Sequence, residues 1–283
     1  MRPVDQQTIL VTGATDGLGK AVARELASRG STVLLHGRDA ARLEESLREI
    51  RGASGNNRLG AHRADFASLD DVRRLADEVE RDHDRLDLLV NNAGLGAGSN
   101  GAREESADGH ELRFAVNYLA PFLLTNRLLP LLRRSSPARI VNVASAGQAP
   151  IDFDNIMLEH GYGGMRAYSQ TKLALIMFTF DLAERLRAEG VDVTVNALHP
   201  ASLMDTKMVR ESFDHSLTTV DDGVEATLRL AIAPELDHVS GHYYERLQES
   251  RAHEQAYDDE ARRRLWRMSE DLVGLPTAAA LAR

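Results

Sequence analysis

Short apolar runs, rich in leucine and β-branched residues, recur along the chain and are separated by longer stretches with helical periodicity. The runs are TILVT (8–12), TVLLH (32–36), RLGAHRA (58–64), LDLLVNN (86–92), RIVNVAS (139–145), DVTVNAL (192–198) and, more weakly, GHYYE (241–245). Several are apolar throughout instead of alternating, which predicts strands covered on both faces. Between them lie amphipathic stretches such as AVARELASRG, closed by Gly30, and DDVRRLADEVERD. Strands alternating with helices predict an α/β fold, a doubly wound parallel sheet of about seven strands with helices on both faces. No repeat, low-complexity linker or boundary divides residues 1–283, so a single domain is expected. Residues 246–283 read as a polar C-terminal helical tail, with Leu265, Met268 and Leu272 at helical spacing.

The first predicted strand runs straight into TGATDGLGK (12–20) and then a helix. Gly13, Gly17 and Gly19 let the backbone turn sharply and approach a pyrophosphate without Cβ interference. The helix that follows offers unpaired N–H groups and a positive dipole end to the anion. A dinucleotide is therefore expected over this turn, the alternative being a tight strand-to-helix connection without a ligand. An NAD enzyme places an acid for the ribose 2′-hydroxyl about 20 residues past the glycines. This chain has His36, Gly37 and Arg38 there, and no carboxylate before Asp39. A guanidinium at Arg38 suits a 2′-phosphate, so NADP(H) is expected in preference to NAD(H). The competing reading makes Arg38 a solvated loop charge.

Composition narrows the chemistry. Among 283 residues there is no cysteine, which excludes a thiol nucleophile, disulfides and thiolate metal sites. Acids outnumber bases 43 to 34, and no basic, aromatic-laced stretch stands out, so nucleic acid is not an expected partner. His199 has no second ligand at metal spacing, and no metal site is expected. No apolar run reaches the ~20 residues that span a bilayer. LAPFLLTNRLLPLL is broken by Asn126, Arg127 and two prolines, and a cytoplasmic protein with no membrane anchor is expected.

The remaining chemistry-bearing stretch is YSQTK, in which Tyr168 and Lys172 stand one helical turn apart. Alone, the pair is equally ordinary helix surface. Its neighbours decide otherwise. TGATDGLG, NNAG (91–94), VNYLAPFLLTN (116–126), NVAS (142–145) and YSQTK follow the order found in the short-chain dehydrogenase/reductases, and the chain resembles that family over nearly its whole length. DGHELRFAVNYLAPFLLTNRLLPLL and AYDDEARRRLWRMSEDLVGL resemble its retinol-dehydrogenase-like branch more narrowly. The resemblance implies a Rossmann-type sheet, with residues 5–145 mainly the dinucleotide-binding half and 146–245 the catalytic helix and substrate-covering segments. It implies Tyr168 as general acid/base, Lys172 beside it, Ser145 stabilising the carbonyl oxygen and Asn117 in a proton relay. Around the cofactor it implies Thr15, Asp16, Leu18, Asp65, Phe66, Asn91, Asn92, Ala93, Gly94, Pro200 and Thr206, with Tyr168 and Lys172 reaching the ribose.

Elementary chemistry agrees with these roles. A phenol near pKa 10 is a poor base at neutral pH, and an adjacent Lys172 ammonium is expected to lower it. Leu173, Ile176 and Phe180 can bury one helix face while Tyr168 and Lys172 look out. Pro121 has no N–H for the Asn117 carbonyl, which leaves that oxygen free to hold a water; the alternative is that Asn117 only marks a kinked helix.

Two departures from the family pattern stand out. Ser145 and Tyr168 are 23 positions apart, wider than usual, and the extra residues in GQAPIDFDNIMLEHGYGGMRA predict a longer loop over the substrate. HPASLMDTK (199–207) carries Ala201 where a glycine is usual, and Thr206 comes one position late, leaving Asp205 or Thr206 for the nicotinamide. Met157, Leu158, Tyr162, Met165, Leu203, Met204, Met208 and Phe213 suggest a bulky apolar aldehyde or ketone, or equally the packing of two loops. GLGAGSNG (94–101) is expected to form a mobile wall of the cleft. An NADP(H)-dependent carbonyl reductase or alcohol dehydrogenase is the leading expectation. A non-catalytic NADP(H)-binding regulator and an epimerase or dehydratase on the same fold are the alternatives, and a homodimer is possible.

Overall fold

Each predicted apolar run is a strand, and in the central strands consecutive side chains feed two different cores. In β1 (Thr8–Val11), Leu10 enters one hydrophobic cluster while Ile9 and Val11 enter another. The same split recurs in β2 (Thr32–Gly37), where Leu34 faces one side and Val33 and Leu35 the other. Period-two alternation therefore survives in three dimensions, although both faces are apolar because both are covered. The structure, a computed structural model, describes residues 1–98, 101–206 and 217–276.

The sheet continues through β3 (Leu59–Arg63), β4 (Leu88–Asn91), β5 (Ala138–Val143), β6 (Val193–His199), β7 (Tyr243–Glu245) and β8 (Gln248–Glu249). Its spatial order is β3-β2-β1-β4-β5-β6-β7-β8. All pairs are parallel except β7 with β8. Among the described residues the sheet has eight strands where about seven were expected. The extra one is two exposed polar residues that turn back on β7 through Arg246, whose φ of 56° is left-handed, and such a strand carries no hydrophobic signal.

On one face lie α1 (Gly17–Ser28), α2 (Ala40–Ser54) and α7 (Val220–Ile232). On the other lie α3 (Leu69–Asp82), α5 (Ala120–Arg134), α6 (Gly164–Ala188) and α8 (Asp259–Val273). A short α4 (Leu112–Phe114) runs into α5 through a π-helical turn at Ala115–Leu119. The chain leaves β1 towards β2 and returns to β4 on β1's other side. That reversal opens a crevice at the carboxyl ends of β1 and β4, where this architecture binds ligands.

The tail beyond residue 246 holds one more helix, as its spacing predicts, preceded by β8 and a short 3₁₀ turn. It packs through Leu265, Trp266, Ser269 and Val273, with Met268 and Leu272 at the margin. The Trp266 ring lies 5.1 Å from Phe122 of α5 and 5.7 Å from Phe178 of α6, and the Arg185 guanidinium stacks on it at 3.8 Å. Tyr118 and Ser269 share a buried 2.7 Å hydrogen bond. α8 thus covers apolar surface on α5 and α6. Trp266→Ala should remove this keystone and lower the unfolding free energy by about 3–5 kcal/mol, read from the urea midpoint at unchanged m-value.

Candidate active site

The glycine turn is held from below by a histidine. Gly13 adopts a left-handed φ of 66°, and a Cβ there would lie 2.8 Å from the Ala93 backbone, so no larger residue fits. The Gly13 N–H donates to His36 Nδ1 at 3.2 Å, while His36 Nε2 pairs with the Ala64 carbonyl at 3.0 Å. Together these bonds select the neutral tautomer protonated on Nε2. The imidazole stacks on Phe66 at 4.2 Å, and its burial pushes its pKa down to about 4. Asp16 caps α1 by accepting the Gly17 N–H at 2.8 Å and pairs with Arg42 at 2.9 Å. Asn92 braces the turn by donating to the Thr12 carbonyl at 2.9 Å.

Thr15, Asp16, Gly17, Leu18, Gly19, Arg38, Asp65, Phe66, Asn92, Ala93, Gly94 and Pro200 all line one cleft of ≈ 590 Å³ with Gly13. Arg42 joins Arg38 at its rim, which the sequence reading missed. Asn91 does not line it. That side chain is buried and donates to Thr125 Oγ1 at 3.0 Å and Asn142 Oδ1 at 2.8 Å, because strand alternation turns it away from its neighbour Asn92.

At the other end of the same cleft, β5 delivers Ser145 and the first turns of α6 deliver Tyr168 and Lys172. The Ser145 hydroxyl accepts the Gly147 N–H at 3.0 Å and lines the cleft beside Tyr168. Lys172 is 5 % exposed, donates to the Val143 carbonyl at 2.9 Å and holds its ammonium 5.6 Å from the Tyr168 ring centre. It is buried where it was expected to look out with Tyr168. Burial pushes its pKa down to about 8. Burial also pushes the Tyr168 phenol up, against the Ser145 hydroxyl, which favours the anion. The expected lowering is therefore not built into the protein side chains alone, since the lysine points at a carbonyl and is itself desolvated. Tyr243, unnoticed in the sequence, donates to the Ser145 carbonyl at 3.1 Å and locks the end of β5. His199 lines the cleft from the end of β6 and pairs with Ser202 at 3.0 Å. Its burial, together with the charges of Lys172 and Arg246, pushes its pKa down to about 4.

Asn117 lies within the π-helical turn, 1 % exposed. Its side chain clamps Leu95 by accepting that N–H at 2.7 Å and donating to the carbonyl at 3.0 Å. It also donates to Thr171 Oγ1 on α6 at 3.1 Å. The alternative reading had Asn117 mark a helix kinked at Pro121, and what precedes that proline is a π turn that ends at Leu119. Gly94, Leu95, Gly96 and Ala97 line the cleft, with Leu95 held by the clamp, and Ser99 and Asn100 of the same stretch lie outside the described residues.

Of the apolar residues proposed to cover the substrate, Met165, Leu203 and Met204 line the cleft. Leu158 is buried, Met157 packs on the sheet-side core, and Tyr162 joins an ion cluster instead. Met208 and Phe213 lie outside the described residues. Thr206 lines the cleft and Asp205 does not, so the one-position slip still brings a threonine over the glycine turn.

The short chain dehydrogenase family model matches residues 7–217. Retinol dehydrogenase 13 of Mus musculus is 39% identical over 96% of this chain and 85% of its own length. Retinol dehydrogenase 14 of Homo sapiens is 38% identical over 95% and 87%. Among solved structures, an uncharacterised protein from Mycobacterium paratuberculosis superposes with a TM-score of 0.78, at 30% identity over 95% of this chain and 94% of that one. A protein described as a short chain dehydrogenase from Escherichia coli CFT073, complexed with NADPH, superposes at 0.71, with 26% identity over 86% and 97%.

His36 gives the site a pH signature. Its folded pKa lies below the unfolded value of 6.5, so the stability it contributes is whole above pH 6.5 and is lost as the pH falls towards about 4. Replacing it with asparagine should make stability fall by roughly 2–4 kcal/mol less between pH 7 and pH 4, measured by denaturant titrations across that range.

Proposed function

The chain belongs to the short-chain dehydrogenase family and is an oxidoreductase acting on CH–OH groups, and from that premise we propose an NADP(H)-dependent interconversion of an apolar aldehyde or ketone with its alcohol. The observation that carries this reading is the convergence of Ser145, Tyr168 and Lys172 at one end of a cleft whose other end is the glycine turn. Arg38 and Arg42 at the rim support NADP(H), since guanidiniums suit a 2′-phosphate and the position after β2 where an NAD enzyme carries an acid is occupied by Gly37 and Arg38. The Escherichia coli relative with NADPH bound points the same way. The apolar wall of Met165, Leu203 and Met204 supports a bulky hydrophobic substrate, as do relatives named for retinol.

In the proposed mechanism NADP(H), when bound, supplies or accepts the hydride. Tyr168 donates its phenolic proton to the carbonyl oxygen during reduction, and recovers it during oxidation. Ser145 hydrogen-bonds the same oxygen and stabilises the charge that develops on it. Lys172 keeps positive charge beneath the phenol. Lowering the phenol by two pKa units takes about 2.7 kcal/mol of differential interaction, and the dry floor of the cleft strengthens every charge acting on it. Pro121, four residues after Asn117 in sequence, has no N–H to donate, and we assign the Asn117 carbonyl the water that passes protons towards Lys172.

Two measurements test the reading. With NADPH and a panel of apolar aldehydes, ketones and quinones, Tyr168→Phe should lower kcat by about 10²–10⁴-fold while NADPH still binds; undiminished turnover would remove Tyr168 from the chemistry. Arg38→Ala should weaken NADPH binding by about 10- to 100-fold and leave NADH affinity unchanged, as read by titration of cofactor fluorescence. Equal changes for both cofactors would make Arg38 irrelevant to the phosphate.

A further inference from the structure

Outside the cleft lining, one buried charge cluster joins three parts of the site. Glu111 and Arg113, 1 % and 3 % exposed, form an ion pair at 3.5 Å. Tyr162 completes it, accepting from Arg113 Nη1 at 2.7 Å and donating to Glu111 Oε1 at 3.2 Å. Every member then reaches a different element. Glu111 accepts the Phe114 N–H at 2.7 Å and so caps the short α4 that leads into the turn carrying Asn117. Arg113 Nε donates to the Gly96 carbonyl at 2.9 Å, in the nucleotide-side wall. Tyr162 sits two residues before α6, which bears Tyr168 and Lys172.

We infer that Glu111, Arg113 and Tyr162 are positioning residues, a latch that couples the 94–98 wall of the cofactor end to the 155–163 segment at the substrate end. The inference rests on the cleft being the nicotinamide-cofactor site proposed above. A buried ion pair is weak evidence for stability alone, because desolvation offsets most of the attraction, and its hydrogen-bonding geometry is what it contributes. Here the geometry is directional: a guanidinium fork spends one N–H on a backbone carbonyl and another on a phenol. Tyr162 stays a neutral O–H donor at physiological pH, since burial and the Glu111 carboxylate push its pKa up to about 12. Close packing reinforces the coupling. A Cβ on Gly164 would collide with the Ala97 carbonyl, so the first turn of α6 lies directly against the same wall. A second tie runs in parallel, from Arg103 Nε to the Met157 carbonyl at 3.0 Å. Ordering one wall therefore orders the other, and the Glu111 cap carries the effect into the Asn117 turn.

Reciprocal variants test the latch in the full chain by hydrogen–deuterium exchange of peptides covering 94–98 and 155–163. Tyr162→Phe deletes one hydroxyl without leaving a buried charge unpaired, and Arg113→Lys keeps the charge while losing the fork. In the free protein each variant should speed exchange by about three- to tenfold in the segment across the cluster, not only in its own. NADPH added to the unmodified protein should slow exchange at 155–163, and Tyr162→Phe should remove that slowing while changing the NADPH dissociation constant by no more than about threefold. Unchanged exchange across the cluster in the free variants would overturn the latch, as would NADPH protection that persists in Tyr162→Phe. Failure of the cofactor reading would appear separately, as absence of NADPH binding to the unmodified protein, and the free-protein arm would still decide the latch.

Discussion

Burying an ammonium is unfavourable unless the surroundings return hydrogen bonds, and the cleft is organised around one such group. Lys172 gives up most of its hydration to donate to the carbonyl of Val143, at the carboxyl end of the central strand β5. That bond ties α6 to the sheet at one height and rotation. Once it is made, Tyr168 stands one turn earlier on the same helix and Ser145 two residues beyond the accepting carbonyl, so their meeting follows from backbone geometry. The two apolar layers that clothe both faces of the sheet provide the stability that such a desolvated charge draws down.

What could be read from the sequence tracks the physical origin of each feature. Strands β1, β2 and β4 to β6 were legible because burial on both faces demands apolar runs, the half-exposed β3 and the short β7 less clearly, and the glycine turn because close approach excludes Cβ. β8 was not, being two exposed polar residues whose only determinant is a turn. Ser145, Tyr168 and Lys172 were identified through the resemblance that their motifs carry, but the direction of the phenol's shift was not. That depends on how deeply the lysine is buried and where its proton points, quantities set by β5 and β6 far away in sequence. His36 was noticed only as a missing acid; that it holds Gly13 needs the β1–β2 register, which pairs Val11 with Leu35 and brings the next residues together.

The substrate side was legible to a lesser degree for a related reason. An apolar residue in a loop satisfies packing and binding alike, and sequence cannot separate the two. Leu158 and Met165 lie seven positions apart, yet one is enclosed under the loop and the other is 47 % exposed at the mouth of the cleft. The fate of Tyr162 turned on charges at 111 and 113, some fifty positions upstream.

These contacts share an arrangement. The segment from Glu111 to Pro121 touches the cofactor wall through Arg113 and Asn117, the catalytic helix through Thr171, and the substrate loop through Tyr162. A π-helical turn within it places an extra residue in the coil, which rotates Asn117 relative to the helix that follows. Both cleft walls thus hang from one irregular stretch, itself pinned to α8 by the Tyr118–Ser269 bond. An irregular helix is costly to maintain, and side-chain hydrogen bonds on every side of it are what hold it in place. The same bonds make its geometry common to both walls, so the reactive end and the nucleotide end of the cleft share one mechanical reference.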